Sequence, residues 1–452
     1  MSQSRHFAQV PGRRWCGLRS RGQASSSESS RAAGRAAVGH PVEIKGRGRW
    51  QTPAMRSFLK HSPDLVHLVI VAVVIVPLFA LIARWGPEGN PDALAAAYPA
   101  WHFVNNGTLD HSEVAFIADD LERLDIWFLE TSDGAVVSNR APGLIGLATL
   151  GYLALGRPTF TAGPATAVAL LTTVFAVLVM WRVMSRLVGR RFATAGALVL
   201  ALGTTTWWVS ATELWPHGPG QLWASLAVAS VAAGSYAKAG WAFALAVVTR
   251  PVTAVMAAVT GLAESFRLKT VKPAVQVGIG SSVGLLLVVA YNRAVFGAWS
   301  VRGGYSESFS TGRYSFAEYL VNLWEMTVGL PNGVLTTSPI LGVAVYGMYR
   351  ARRTVPGWAF SILSAAVGYL ALHAALNYAS GDSVVFYRYP LEAIMLATPA
   401  LVIGAKWMWD EGGVWRGLVV SAAVASITLQ VAHVLLWSCV ITDPVIPACV
   451  LD

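Results

Sequence analysis

LVHLVIVAVVIVPLFALIARWGPEGNPDA, residues 65–93, decides how the chain is read. Leu65 to Ala83 is an unbroken apolar run close to the roughly 20 residues a helix needs to cross hydrocarbon. It is too long for a signal-peptide core, and no small-x-small cleavage site follows, so it reads as a retained transmembrane helix. The run ends at Arg84, and Glu88 and Asp92 then follow beside Gly and Pro residues that turn the chain.

Comparable runs recur at about 163–184, 192–209, 219–236, 240–262, 274–296, 335–349, 357–377, 389–407 and 416–438. The 452 residues are 54% hydrophobic and only 13% charged, which excludes an ordinary soluble domain. The expected fold is an all-α polytopic transmembrane bundle of about 9–11 membrane segments with a long first extracytoplasmic loop.

The net charge of +10 would suit a nucleic-acid binder, but its location argues otherwise. Residues 1–61 hold 12 of the 34 Lys/Arg and 2 of the 24 Asp/Glu, so the excess belongs to that segment alone. This Arg-, Ser- and Gly-rich stretch has little apolar surface to bury and reads as a disordered cytoplasmic tail. The other reading is an over-extended start, since Met55 opens a short basic flank before the first span. The expected organisation is therefore tail 1–61, transmembrane domain 62–438 and extracytoplasmic C-tail 439–452, with no nucleic-acid partner. Cys439 and Cys449 in that last part read either as a pair or as two free thiols.

Basic residues favour the cytoplasmic side. Arg182 to Arg191, Arg267 to Lys272 and Arg350 to Arg353 all fall there if 142–156 lies along the outer surface or re-enters, and if 240–262 is a hairpin broken at Arg250-Pro251. Nine full crossings result, with the N-terminus inside and the C-terminus outside. The long loops 85–141, 210–219, 297–334 and 378–388 then share the outer face, which becomes the working face of a plasma-membrane protein.

The first of these loops is acidic, and most of its carboxylates, Asp119 to Asp125 among them, read as the solvated face of a loop helix. Asp92 stands apart because it emerges just beyond the membrane. It either caps the helix beginning at Ala93-Leu94-Ala95 or serves chemistry at the membrane surface.

The first helix and acidic external loop are followed by Asp133-Gly134-Ala135 to Pro142-Gly143, Glu213-Leu214-Trp215-Pro216-His217-Gly218, Thr249-Arg250-Pro251, Gly329-Leu330-Pro331-Asn332-Gly333 and Tyr387-Arg388-Tyr389-Pro390. In that order, over roughly residues 60–438, the chain resembles the polyprenyl-phosphate-sugar-dependent glycosyltransferases of the GT-C superfamily. These include protein mannosyltransferases, aminoarabinose transferases and actinobacterial arabinosyl- and mannosyltransferases. Many relatives carry an adjacent acidic pair in the first loop; here Asp92 lies between Pro91 and Ala93, with Glu88 the nearest second acid.

The resemblance implies an inverting transfer of a sugar from a polyprenyl-phosphate donor to a cell-envelope glycan or glycolipid. Asp92 would be the general base, because the donor presents its phosphate at the membrane surface and the base must emerge beside it. Arg388 would grip the phosphate bidentately, with Arg140, Arg302, Arg313 and His217 in support. Glu213 with Trp215 would line the acceptor pocket, and Tyr305 or Trp299 would stack on a sugar. Each has a structural alternative: interfacial anchors for Arg388 and Arg140, solvated loop charges for Arg302 and Arg313, a turn residue for His217. Arg250 is expected to reach cytoplasmic water at the helix break, outside the site. No cofactor is expected; a divalent metal stays open, with the lack of a tight acidic pair arguing weakly against one. The Ala-, Val-, Gly- and Arg-rich composition suits a GC-rich bacterium and favours mannose or arabinofuranose donors. The rival from another class is a transporter or lipid-carrier flippase, against which stand the absence of an evident internal repeat and the length of the acidic loop.

Overall fold

The apolar runs fold as helices that pack side by side and alternate in direction, in a computed structural model that describes residues 62–86, 90–113, 127–303, 315–376 and 387–442. Glu88, Tyr305, Arg313, Asp119 to Asp125 and Cys449 lie outside the described residues, as does the 1–61 tail, and so does the side chain of Cys439. The helices are α1 (Ser62–Ile82), α2 (Pro91–Asn106), α3 (Pro142–Leu155), α4 (Gly163–Val188), α5 (Arg190–Leu202), α6 (His217–Ala232), α7 (Tyr236–Thr249), α8 (Ala254–Leu268) and α9 (Lys272–Phe296). They continue with α10 (Phe316–Thr327), α11 (Val334–Thr337), α12 (Pro339–Arg350), α13 (Gly357–Leu376), α14 (Leu391–Glu411) and α15 (Gly413–Thr442). A small antiparallel hairpin, β1 (Phe128–Glu130) and β2 (Val136–Ser138), pairs Leu129 with Val137 and sits between α2 and α3 in the chain.

Among the described residues, α1, α4, α9, α13, α14 and α15 contain stretches long and apolar enough to cross a membrane. Val73 and Leu81 of α1 and Ile279 and Leu286 of α9 stay exposed. Helices whose backbone groups are satisfied internally can turn such side chains to lipid without cost. Helices approach closely where side chains are absent. A Cβ on Gly240 of α7 would lie 2.7 Å from the Gln276 carbonyl of α9, and one on Gly284 would lie 2.9 Å from Ala244 Cα. This is the small-residue contact expected where apolar solvent supplies no hydrophobic drive.

Those contacts also fix direction. Gly240 faces Val277 and Ala244 faces Gly284, so α7 runs parallel to α9; Gly261 of α8 faces Ala274 and Val277, so α8 runs back. The expected 240–262 hairpin is therefore present, but it traverses the bundle, and its apex at Arg250-Pro251 stands at the end where α1 finishes and α14 begins. Two expected spans are interrupted. The 192–209 run leaves the α-helix at Gly203 and continues as a buried π-helical turn, Thr206–Ser210. The 335–349 run breaks before Pro339, whose ring cannot continue the helix from α11. The α3 segment stays at one end, with Gly143 against Thr249 and Gly151 against Pro164.

Charge divides the bundle lengthwise. Asp64 at the start of α1 pairs with Arg182 and Arg190, Arg267 closes α8 on Glu264, and Arg350 closes α12 over the Trp407 ring of α14. Asp92, Arg140, Arg250, Arg388 and Glu392 gather at the opposite end.

Candidate active site

The exit from α1 is tied down before it reaches Asp92. Arg84 donates its backbone N–H to Thr212 O at 3.0 Å, and its guanidinium lies 2.8 Å from Glu213 Oε1. Glu213 Oε2 accepts the Asn90 N–H at 2.8 Å. Asn90 then caps α2, its side-chain oxygen accepting from Asp92 N at 2.9 Å, and Pro91 supplies the preset φ of a first helical residue. The cap is thus Asn90, which leaves the Asp92 carboxylate for other partners.

Those partners are cations. Arg140 Nη2 bonds Asp92 Oδ1, Arg388 Nη1 lies 2.7 Å from Oδ2, and Trp127 Nε1 donates to Oδ1 at 2.5 Å. Burial pushes the carboxyl up, but Arg140 and Arg388 outweigh it and hold Asp92 well below the usual carboxylate range. Position in the first turn of α2 adds the favourable end of the helix dipole.

Each arginine is itself positioned. Arg140 leaves β2 toward α3, its N–H bonded to Ser138 Oγ at 3.2 Å. Arg388 precedes α14 and lies between the rings of Trp215 and Tyr389, its Cζ 5.0 Å from each centroid. Its neighbour Tyr387 is fully buried, with its hydroxyl 2.8 Å from Ser338 Oγ.

A second cluster adjoins the first through Tyr389. Glu392, one helical turn beyond Arg388, is completely buried and lies 3.1 Å from His217 Nδ1 and 3.3 Å from Arg250 Nη1. Arg250 also donates to Tyr369 Oη at 3.2 Å and stands over the Tyr389 ring at 5.4 Å. The expectation that Arg250 stands outside the site is overturned, because the hairpin crosses the bundle and carries its apex to Glu392, Tyr369 and Tyr389. A buried charge needs partners, and Glu392 and Tyr369 supply them.

Asp92, Arg140 and Arg388 are brought together as the sequence suggested, and His217 joins them one layer behind, buried against Glu392 and not in a turn. Glu213 clamps Arg84 and the Asn90 N–H through its two carboxylate oxygens, just before Asp92. Trp215 covers Arg388. Arg302 is exposed and forms no ion pair among the described residues, and Trp299 lies under Arg293 at 5.8 Å. Sequence reading missed Trp127, Tyr369, Tyr389 and Glu392. The usable signal was Glu392, a carboxylate inside the 389–407 apolar run, where an ionisable group is costly enough to imply a partner. Among the described residues no group of three or more His, Cys, Asp or Glu could hold a metal ion.

No protein-family model matches the chain, and no curated protein matches it significantly in sequence. Solved structures do. ArnT from Cupriavidus metallidurans bound to undecaprenyl phosphate aligns with a TM-score of 0.50 at 14% identity over 82% of this chain and 70% of that one. Its apo state aligns at 0.48 and 15% identity over 79% of this chain, which spans 62% of the ArnT length there. The apo Archaeoglobus fulgidus oligosaccharyltransferase aligns at 0.47 and 14% identity over 86% of this chain and 59% of that one. This chain shares a polytopic all-α fold with that undecaprenyl-phosphate-bound ArnT structure, as the sequence resemblance led one to expect.

Proposed function

We propose that the chain is a membrane glycosyltransferase that moves a sugar, mannose or arabinofuranose, from a polyprenyl-phosphate donor to a hydroxyl of a cell-envelope glycan or glycolipid. The observation that carries this reading is a single carboxylate, Asp92, held between the guanidiniums of Arg140 and Arg388 at one end of a GT-C-type bundle. ArnT, whose fold this chain shares, has been solved with undecaprenyl phosphate bound.

The chemistry follows from that pairing. A phosphate oxygen competes for the same guanidinium faces that Asp92 occupies, and Arg suits it because its planar fork matches phosphate geometry. Once a donor phosphate takes over Arg388 and Arg140, their charge is neutralised and Asp92 regains basicity. The acceptor hydroxyl then attacks the anomeric carbon from the face opposite the phosphate. Its proton passes to Asp92, the new C–O bond forms, the bond to the phosphate oxygen breaks, and polyprenyl phosphate departs with the electron pair. Attack opposite the leaving group inverts the anomeric centre. The Glu392–Arg250–His217 cluster holds the floor beneath Arg388 through Tyr389.

The basic end marked by Arg182, Arg190, Arg267 and Arg350 supports a cytoplasmic assignment for that face and an extracytoplasmic one for the site. The test is transfer by the purified full chain from synthetic polyprenyl-phosphate mannose and arabinofuranose to an envelope glycolipid extract, read by mass spectrometry. Product should form with one donor and fall by roughly a hundredfold or more in Asp92→Asn and Arg388→Gln. No product from either donor, or full activity in both variants, sinks the proposal.

A further inference from the structure

The bundle also holds a feature that none of Asp92, Arg140, Arg388 and Glu392 lines. A cavity of about 1010 Å³ opens among α5, α12, α14 and α15. Its walls are mostly apolar, with Val199, Leu341, Leu401 and Ile427 beside the hydroxyl-bearing Thr204 and Thr398, and it extends from Arg190 past the end of α5 to Thr204. At 1.5 Å per residue that is a length of roughly 20 Å, somewhat more than one leaflet of a hydrocarbon core about 30 Å thick. Arg190, Arg191 and Lys406 line one end, and no carboxylate lines the cavity among the described residues. Arg190 is paired with Asp64 and Lys406 with the exposed Asp410, while Arg191 forms no ion pair among the described residues.

An apolar shaft of leaflet length with a cationic mouth is complementary to an amphiphile with an anionic head. The mouth lies at the Asp64 end of α1, whereas Asp92 follows the other end. A polyprenyl donor gripped by Arg388 and threaded down this shaft would set its hydrocarbon against Arg191 and Lys406, which is unfavourable for both. The geometry points to an anionic glycerophospholipid of the inner leaflet as the occupant, its phosphate on Arg191 and Lys406 and its acyl chain between α5 and α15. The inner-leaflet assignment rests on the cytoplasmic reading of the basic end proposed above, and the shaft's far end at Thr204 comes up beside Tyr387, the residue before Arg388.

Native mass spectrometry of the full chain, delipidated in a nonionic detergent, tests the assignment. Dioleoyl phosphatidylglycerol, dioleoyl phosphatidylcholine and undecaprenyl phosphate are titrated in parallel. Phosphatidylglycerol should bind at roughly tenfold lower concentration than phosphatidylcholine, as two juxtamembrane cations predict, and Arg191→Gln with Lys406→Gln should erase the preference. Ala423→Phe, which fills the shaft, should weaken both phospholipids. Equal binding of the two phospholipids, or a preference that survives the charge variant, overturns the proposal. It is also overturned if undecaprenyl phosphate is the lipid displaced by Ala423→Phe, with no response to the two cations.

Discussion

Arg388 Nη1 lies 2.7 Å from Asp92 Oδ2, a contact that spans 296 residues of sequence. With Arg140 on the other oxygen, the carboxylate occupies the grip that an incoming phosphate needs. In the proposed mechanism, replacing Asp92 with Asn removes both the base and the competitor. Asp92→Asn should therefore lower transfer by roughly 10²- to 10⁴-fold, the usual contribution of a positioned proton acceptor. The same variant should bind undecaprenyl phosphate at least as tightly as the wild type. Weaker lipid binding in a folded Asp92→Asn protein would falsify the competition.

That competition has a pH signature. In the empty site the two arginines hold Asp92 well below the usual carboxylate range, so it stays ionised at every pH at which the protein is handled. In the proposed donor complex the phosphate would neutralise those arginines, and burial, which alone raises a carboxyl, would be left to act. The depressed group keeps its charge as pH falls, whereas the released one takes a proton near or above the ordinary value of about 4. The acid limb of kcat should therefore lie at higher pH than that of kcat/KM, because the two report the bound and free enzyme respectively. Coincident limbs would argue that Asp92 does not change partners.

Glu213 acts through its neighbours. It joins Arg84 at the end of α1 to the Asn90 N–H that precedes Asp92, and it is almost fully buried. Glu213→Ala leaves Arg84 without its counter-charge and frees the connector, at a cost of about 3–5 kcal/mol for a broken buried pair. Glu213→Gln keeps the acceptor for Asn90 and should retain more activity than Glu213→Ala, with the loss in kcat greater than any change in KM. If the two variants have identical kinetics, the clamp does not position Asp92.

Much of this was legible in the sequence, and the misses share a cause. The helical bundle follows from runs whose length and apolarity leave little choice, and Asp92, Arg140 and Arg388 stand out as charges beside membrane exits. Arg250 was misplaced because periodicity reports that a run is broken at Pro251 but not how far each arm extends. The depth of the α7–α8 hairpin is set by Gly240, Gly261, Gly280 and Gly284 against their neighbours, a packing property. The clamp made by Glu213 was not legible because an acidic residue in a loop looks the same whether it faces a ligand or a backbone N–H 123 residues away. Trp127 carries no local sign of the carboxylate it touches 35 residues away.

The second cluster makes a prediction through a residue with no side chain. A Cβ on Gly220 of α6 would lie 2.8 Å from Glu392 Oε1 and 3.0 Å from its Cγ, in a place where Glu392 is wholly buried and bonded to His217 and Arg250. Gly220→Ala must therefore displace the carboxylate from its partners, an overpacking that costs about 1–3 kcal/mol. Activity should fall because Tyr389, and through it Arg388, rests on that cluster. Glu392→Ala opens the space but strands Arg250, at about 3–5 kcal/mol. Since Gly220→Ala acts by pushing a side chain that Glu392→Ala has already removed, the double variant should be no worse than Glu392→Ala alone. Thermal unfolding and transfer rates of the four proteins complete the cycle, and additive losses would mean that Gly220 matters for helix packing and not for the charge network beneath Arg388.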